Sequence, residues 1–167
     1  MITSAYVQTM AAYNAELNRR VFGAALRLSD ETRRADGGVF WKSIHGTLNH
    51  VFWADRTWLS RFGHGEPLAL KLSQSDTVFD DFDELWRERQ QLDVNIEHWA
   101  ANLPPSALDG DLRWYSAAVG KEMSKSRALC VMQLFNHQTH HRGQVHALIT
   151  RAGEQTGDTD LPFVIST

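Results

Sequence analysis

Cysteine is nearly absent from this chain. Of 167 residues only Cys130 carries a thiol, so no intrachain disulfide can form and no Cys-rich zinc site can be built. Any transition-metal site must rest on histidine and carboxylate. Charge of one sign is missing too. The formal net charge is −3, with Lys and Arg scattered among acids, as in Arg87-Glu88-Arg89. That pattern lacks the basic stripe expected of a nucleic-acid binder. No apolar run reaches the length of a membrane span. The N-terminal Met1-Ile2-Thr3-Ser4-Ala5-Tyr6 lacks the charged and apolar regions of a signal peptide. These absences lead to the expectation of a cytoplasmic protein with no nucleic-acid and no membrane partner. A Gly-rich phosphate loop, G-x-S-x-G and H-E-x-x-H are missing as well.

What is present is apolar periodicity. Tyr6, Met10, Tyr13, Leu17, Val21, Ala24, Ala25 and Leu28 recur at helical spacing and predict a first helix over about Ser4–Leu28. A second is predicted from about Trp41 to Phe62, apolar around most of its circumference and therefore buried. Residues 66–77 read as a loop. Ser75 or Asp76 is then expected to cap a third helix running to about Leu103, where Pro104-Pro105 stops it. Asp109-Gly110 and the alternating Leu112-Arg113-Trp114-Tyr115-Ser116 predict a short β-like or irregular excursion within 106–125. A fourth helix follows from about Ser126 to Ala152, with Gly153 placed to end it. The expected fold class is all-α, a four-helix bundle in one domain over 1–167. Bundles of this kind build metal sites from inward-facing side chains on neighbouring helices.

The most informative stretch is Phe135-Asn136-His137-Gln138-Thr139-His140-His141-Arg142-Gly143-Gln144. His137 and His141 are four residues apart in a proline-free apolar run, which puts two imidazoles on one helix face, one turn apart. Two imidazoles in an apolar stripe carry a desolvation cost unless their nitrogens are satisfied. They could be satisfied by hydrogen bonds within the core, or by an ion that takes one nitrogen of each. His50, in Leu48-Asn49-His50-Val51-Phe52-Trp53, shares a stripe with Gly46, Ala54 and Thr57. Those small neighbours leave room for an ion, and His50 can supply a third ligand. Three imidazole ligands leave open coordination positions, as in catalytic rather than closed structural sites. Spacing alone does not choose among zinc, nickel and iron. Asn precedes both His50 and His137 and is a candidate hydrogen-bonding partner. His140, one turn from His137 at i+3, competes with His141 but lies on a more polar face. His45 reads as packing or as a hydrogen-bonding partner behind the ligands, His64 and His98 as surface residues, and Cys130 as a small buried apolar residue.

The segments Gly46-Thr47-Leu48-Asn49-His50-Val51-Phe52-Trp53-Ala54-Asp55-Arg56-Thr57-Trp58-Leu59 and Phe135 to Val145 resemble the DinB/YfiT-like, or damage-inducible DinB, family. The N-H-x-x-H-H-R-G-Q run is the specific part. The resemblance implies a bundle in up-down-down-up order, a homodimer, and nickel or zinc held by His50, His137 and His141. It also implies thiol-dependent transferase or metal hydrolase chemistry on a small molecule, with a low-molecular-weight thiol as a second cofactor. The other reading is a non-catalytic stress-response protein whose ion staples two helices.

Overall fold

The computed structural model describes residues 1–165. Four long helices carry the core: α1 (Ser4–Leu26), α3 (Ile44–Arg61), α4 (Phe82–Ala101) and α5 (Arg127–Arg151). Short helices α2 (Asp30–Arg34) and α6 (Leu161–Val164) lie in the connections. Strands β1 (Asp111–Ser116) and β2 (Lys121–Ser126) form an antiparallel hairpin in register Asp111 to Ser126, just before α5.

Helix order follows from which faces must be covered. α1 packs on α4 and α5, and α3 packs on α5 and more loosely on α4. The consecutive helices α1 and α3 therefore occupy diagonal corners. Contacts give the directions. Asn18 meets Asp93 while Phe22 meets Phe82, so α1 and α4 are antiparallel. Tyr6 meets Phe135 and Arg27 meets Glu154, so α1 and α5 are parallel. His45 meets Phe82 and Asp55 meets Arg89, so α3 and α4 are parallel. The order is up-down-down-up, as expected.

Two helix boundaries differ from expectation, each for a local reason. α3 begins at Ile44 rather than Trp41 because Lys42 sits in the left-handed region (φ 65°) and Ser43 caps the helix, accepting from Gly46 N. α4 begins at Phe82 rather than near Ser75. Asp81 takes the cap, its carboxylate accepting from the Asp83 and Glu84 backbone N–H groups. Residues Leu72–Thr77 form a 3₁₀ turn instead, and Ser75 is buried within it.

The core joins apolar side chains from all four long helices, including Val21, Phe22, Leu48, Leu85, Ile96, Leu134 and Ile149. A polar layer crosses it. Arg89 pairs with Asp55 at 2.6 Å and with Asp93 at 2.7 Å. Asn18 donates to Asp93 at 2.9 Å, and Arg142 donates to Gln138 at 2.8 Å and Asn18 at 3.4 Å. Every long helix contributes to this layer.

Candidate metal centre

The antiparallel packing of α3 on α5 sets His50 opposite the His137–His141 pair. Each residue presents one nitrogen, and the three ligand atoms lie within 4.8 Å of one another. His137 Nε2 is central, 3.1 Å from His50 Nε2 and 3.1 Å from His141 Nε2. His50 and His141 are buried, and His137 is half-buried. Metal–nitrogen bonds of about 2.0–2.1 Å place cis ligands about 2.9–3.4 Å apart in octahedral or tetrahedral geometry. The two 3.1 Å spacings about His137 fall in that range.

The opposite ring nitrogens of two of these residues are held by neighbouring side chains. His141 Nδ1–H donates to Gln144 Oε1 at 2.9 Å, and His50 Nδ1 lies 2.8 Å from Ser75 Oγ. A proton held at Nδ1 leaves Nε2 with its lone pair directed into the cluster. His137 Nδ1 has no hydrogen-bonding partner among the described residues. Burial, reinforced by the neighbouring imidazoles, pushes His50 down to about 3 and His137 down to about 4. His141 is also lowered by burial, against the pull of Gln144. At neutral pH all three rings are therefore neutral, the state a metal ligand requires.

The surrounding walls come from segments the sequence reading did not assign to the site. Trp41 stacks on the His50 ring, centroids 4.2 Å apart. Gly46 makes this possible, because a Cβ there would stand 2.6 Å from the Trp41 carbonyl oxygen. The smallness of Gly46 thus serves the approach of the Trp41 turn. Ser75 arrives on the α3–α4 connection and Gln144 from the next turn of α5. Gln144 was legible as an i+3 neighbour of His141. Ser75 was not, since 25 residues separate it from His50 and nothing in its local pattern marks it.

Other expectations divide. His140 is exposed and outside the cluster, its ring 4.8 Å from that of His141. Asn49 does not touch His50. Its side chain accepts from Phe79 N and donates to Phe79 O and His45 O, strapping the connection to α3. Asn136 is exposed and makes no bond to His137 among the described hydrogen bonds. His45 packs, with Nε2 on Phe79 O. Cys130 is buried, and His64 and His98 are exposed, as expected.

Fold and site together define a four-helix bundle with a three-histidine cluster between its second and fourth long helices. The family model for the DinB family matches residues 1–167, and the chain belongs to that family. Among curated proteins none matches. Two solved structures share the fold. One is a DinB-like protein from Bacillus cereus ATCC 10987, at 20% identity and TM-score 0.65, covering 87% of this chain and 90% of that one. The other is YfiT from Bacillus subtilis, described as a probable metal-dependent hydrolase with an unusual four-helix bundle topology. It is 14% identical with TM-score 0.63, covering 92% of this chain and 91% of YfiT. No helix among the described residues is long and apolar enough to cross a membrane.

Proposed function

We propose that His50, His137 and His141 hold one divalent ion, nickel or zinc, with an open coordination position, and that the protein is an enzyme acting on a small molecule there. The observation that carries the reading is the convergence of three neutral Nε2 atoms while two of the Nδ1 atoms are engaged elsewhere. A bound ion supplies Lewis acidity that acidifies a water or stabilises a thiolate. The protein's own residues orient the ligands through Ser75 and Gln144. Trp41 covers one face of His50, shielding that ligand from bulk water.

Two chemistries fit this arrangement, hydrolysis and S-transfer from a low-molecular-weight thiol. YfiT's description favours the first, and the family resemblance brings in the second. A cobalt-substituted form separates them. A new sulfur-to-metal charge-transfer band on adding a small thiol supports S-transfer, and its absence together with ester or amide cleavage supports hydrolysis. The non-catalytic alternative expects chelation to lower Tm while neither thiol nor substrate analogue perturbs the metal spectrum.

His137→Ala is expected to abolish stoichiometric metal in elemental analysis while circular dichroism stays helical. Full metal retention in that variant refutes the ligand set. A homodimer in the cytoplasm completes the proposal, with light scattering as the test of the dimer.

A further inference from the structure

Arg142 directly follows a clustered histidine, yet its side chain reaches across to α1, where Asn18 and Tyr13 meet it. It is 4% exposed. Of its guanidinium nitrogens only Nη1 is engaged, donating to Gln138 and Asn18. Nε and Nη2 are buried and have no hydrogen-bond partner among the described residues. These two donors form one edge of the planar guanidinium, an edge suited to two oxygens of a carboxylate or phosphate side by side. Among the described residues no carboxylate takes it, because Asp55 and Asp93 both pair with Arg89. Burial pulls the guanidinium down to about 10, which still leaves it cationic at neutral pH. A buried cation with unpaired donors is costly, and an anion would relieve that cost.

A cavity of about 190 Å³ lies beside this side chain. Thr139, Arg142, Gly143 and His146 line it from α5. They stand at i, i+3, i+4 and i+7, on one helix face. Tyr13 lines it from α1, and its ring centroid is 5.8 Å from Arg142 Cζ. The charged end of Arg142 therefore stands at the cavity wall. Other polar groups of the wall are already engaged. Tyr13 Oη donates to Thr159 O at 2.6 Å, Thr139 Oγ1 donates to Phe135 O at 3.0 Å, and His146 Nδ1 lies 2.6 Å from Thr156 Oγ1. No carboxylate and none of the three clustered histidines lines this cavity.

Gly143 is an independent mark on the same wall. Glycine weakens a helix interior, and no atom stands within 4 Å of the Cβ it lacks. A side chain there would project from the cavity wall into open space.

We propose that the Nε–Nη2 edge of Arg142 holds a small oxyanion, a carboxylate or a phosphate, in this cavity, and that glycine at position 143 keeps the way in clear. The site lies between α1 and α5 and does not depend on the metal reading. Once bound, the anion ties α1 to the turn of α5 that carries His141.

NMR of the arginine Nε–H groups tests this, with the Arg142 signal assigned by through-bond correlation. Acetate and phosphate are the probes, added to metal-free and to zinc-loaded protein against chloride of matched ionic strength. The Arg142 Nε–H signal is expected to move downfield and saturate, with the same affinity in both metal states. Tm should rise with the logarithm of anion concentration above Kd. Tighter acetate assigns a carboxylate ligand, and tighter phosphate a phosphate. Arg142→Lys keeps the charge and loses the fork. It should weaken the anion-dependent rise in Tm about tenfold or more in Kd, the equivalent of one charge-assisted hydrogen bond. Gly143→Leu should abolish the response without lowering Tm in chloride alone, since nothing packs at that position. An Arg142 Nε–H that contacts water and responds to neither anion overturns the proposal, because the edge is then only hydrated. An undiminished response in Gly143→Leu overturns it as well. So does a response confined to the zinc-loaded protein, which assigns the anion to the metal centre.

Discussion

The two hydrogen bonds behind the histidines are where single side chains matter most. Ser75 is fully buried with its hydroxyl 2.8 Å from His50 Nδ1, and Gln144 holds His141 Nδ1–H at 2.9 Å. Partners of this kind fix the tautomer and raise ligand basicity, and their loss typically weakens metal binding about 10–100-fold. Ser75→Ala and Gln144→Leu are expected to show that loss in chelator competition, with far-UV circular dichroism unchanged. The same residues make metal-free stability depend on pH. Histidines in the unfolded chain protonate near 6.5, whereas burial holds His50 near 3 and His137 near 4. Between those values the unfolded state binds more protons than the folded one. The contribution is fully present above about pH 6.5 and is lost as pH falls toward 4. The Tm of metal-free protein should drop across that window, and His137→Phe should flatten the drop.

At the scale of elements, α3 is clamped at its start by two connections. The turn at residues 39–43 lies over Gly46 so closely that a methyl group would meet the Trp41 carbonyl at 2.6 Å. Gly46→Ala must displace that turn, and with it the indole stacked on His50. It is expected to lower Tm and to change tryptophan fluorescence in the metal-free protein. Asn49 binds both the N–H and the C=O of Phe79. Asn49→Ala leaves the Phe79 N–H unpaired, while His45 Nε2 still meets the carbonyl; the cost is about 1–3 kcal/mol, and amide exchange at Phe79 itself should accelerate. These clamps explain why element boundaries were harder to read than element existence. Apolar spacing predicts four helices because burying one stripe requires it. The left-handed Lys42 belongs to a local turn that apolar spacing does not register, and the engagement of Ser75 by His50 is decided by a group 25 residues away.

Across the whole molecule, the polar layer Asn18–Asp93–Arg89–Asp55, with Gln138 and Arg142, ties all four corners of the bundle together. Burial pushes the Asp55 and Asp93 carboxyls upward against the pull of Arg89. Arg89 thus compensates two buried acids at once. Arg89→Met removes the shared partner and is expected to cost about 3–5 kcal/mol in denaturant unfolding. The loss should be smaller in an Arg89→Met, Asp55→Leu, Asp93→Leu triple variant, which removes the charges together. Gln138 and Arg142 each directly follow a clustered histidine in the chain. The α5 turn that carries the site is therefore held in register by the same layer.

By itself the sequence determined the helical class, a β-like or irregular break before the last helix and the three histidines of the cluster. Periodicity and i,i+4 spacing are local consequences of helix geometry, and one distant histidine sufficed to complete the set. Tertiary structure alone decided that Ser75 and Trp41 stand against His50 and that Asn49 serves a connection rather than the cluster. Those outcomes depend on which surfaces meet when the core closes, and no window of the chain contains that information.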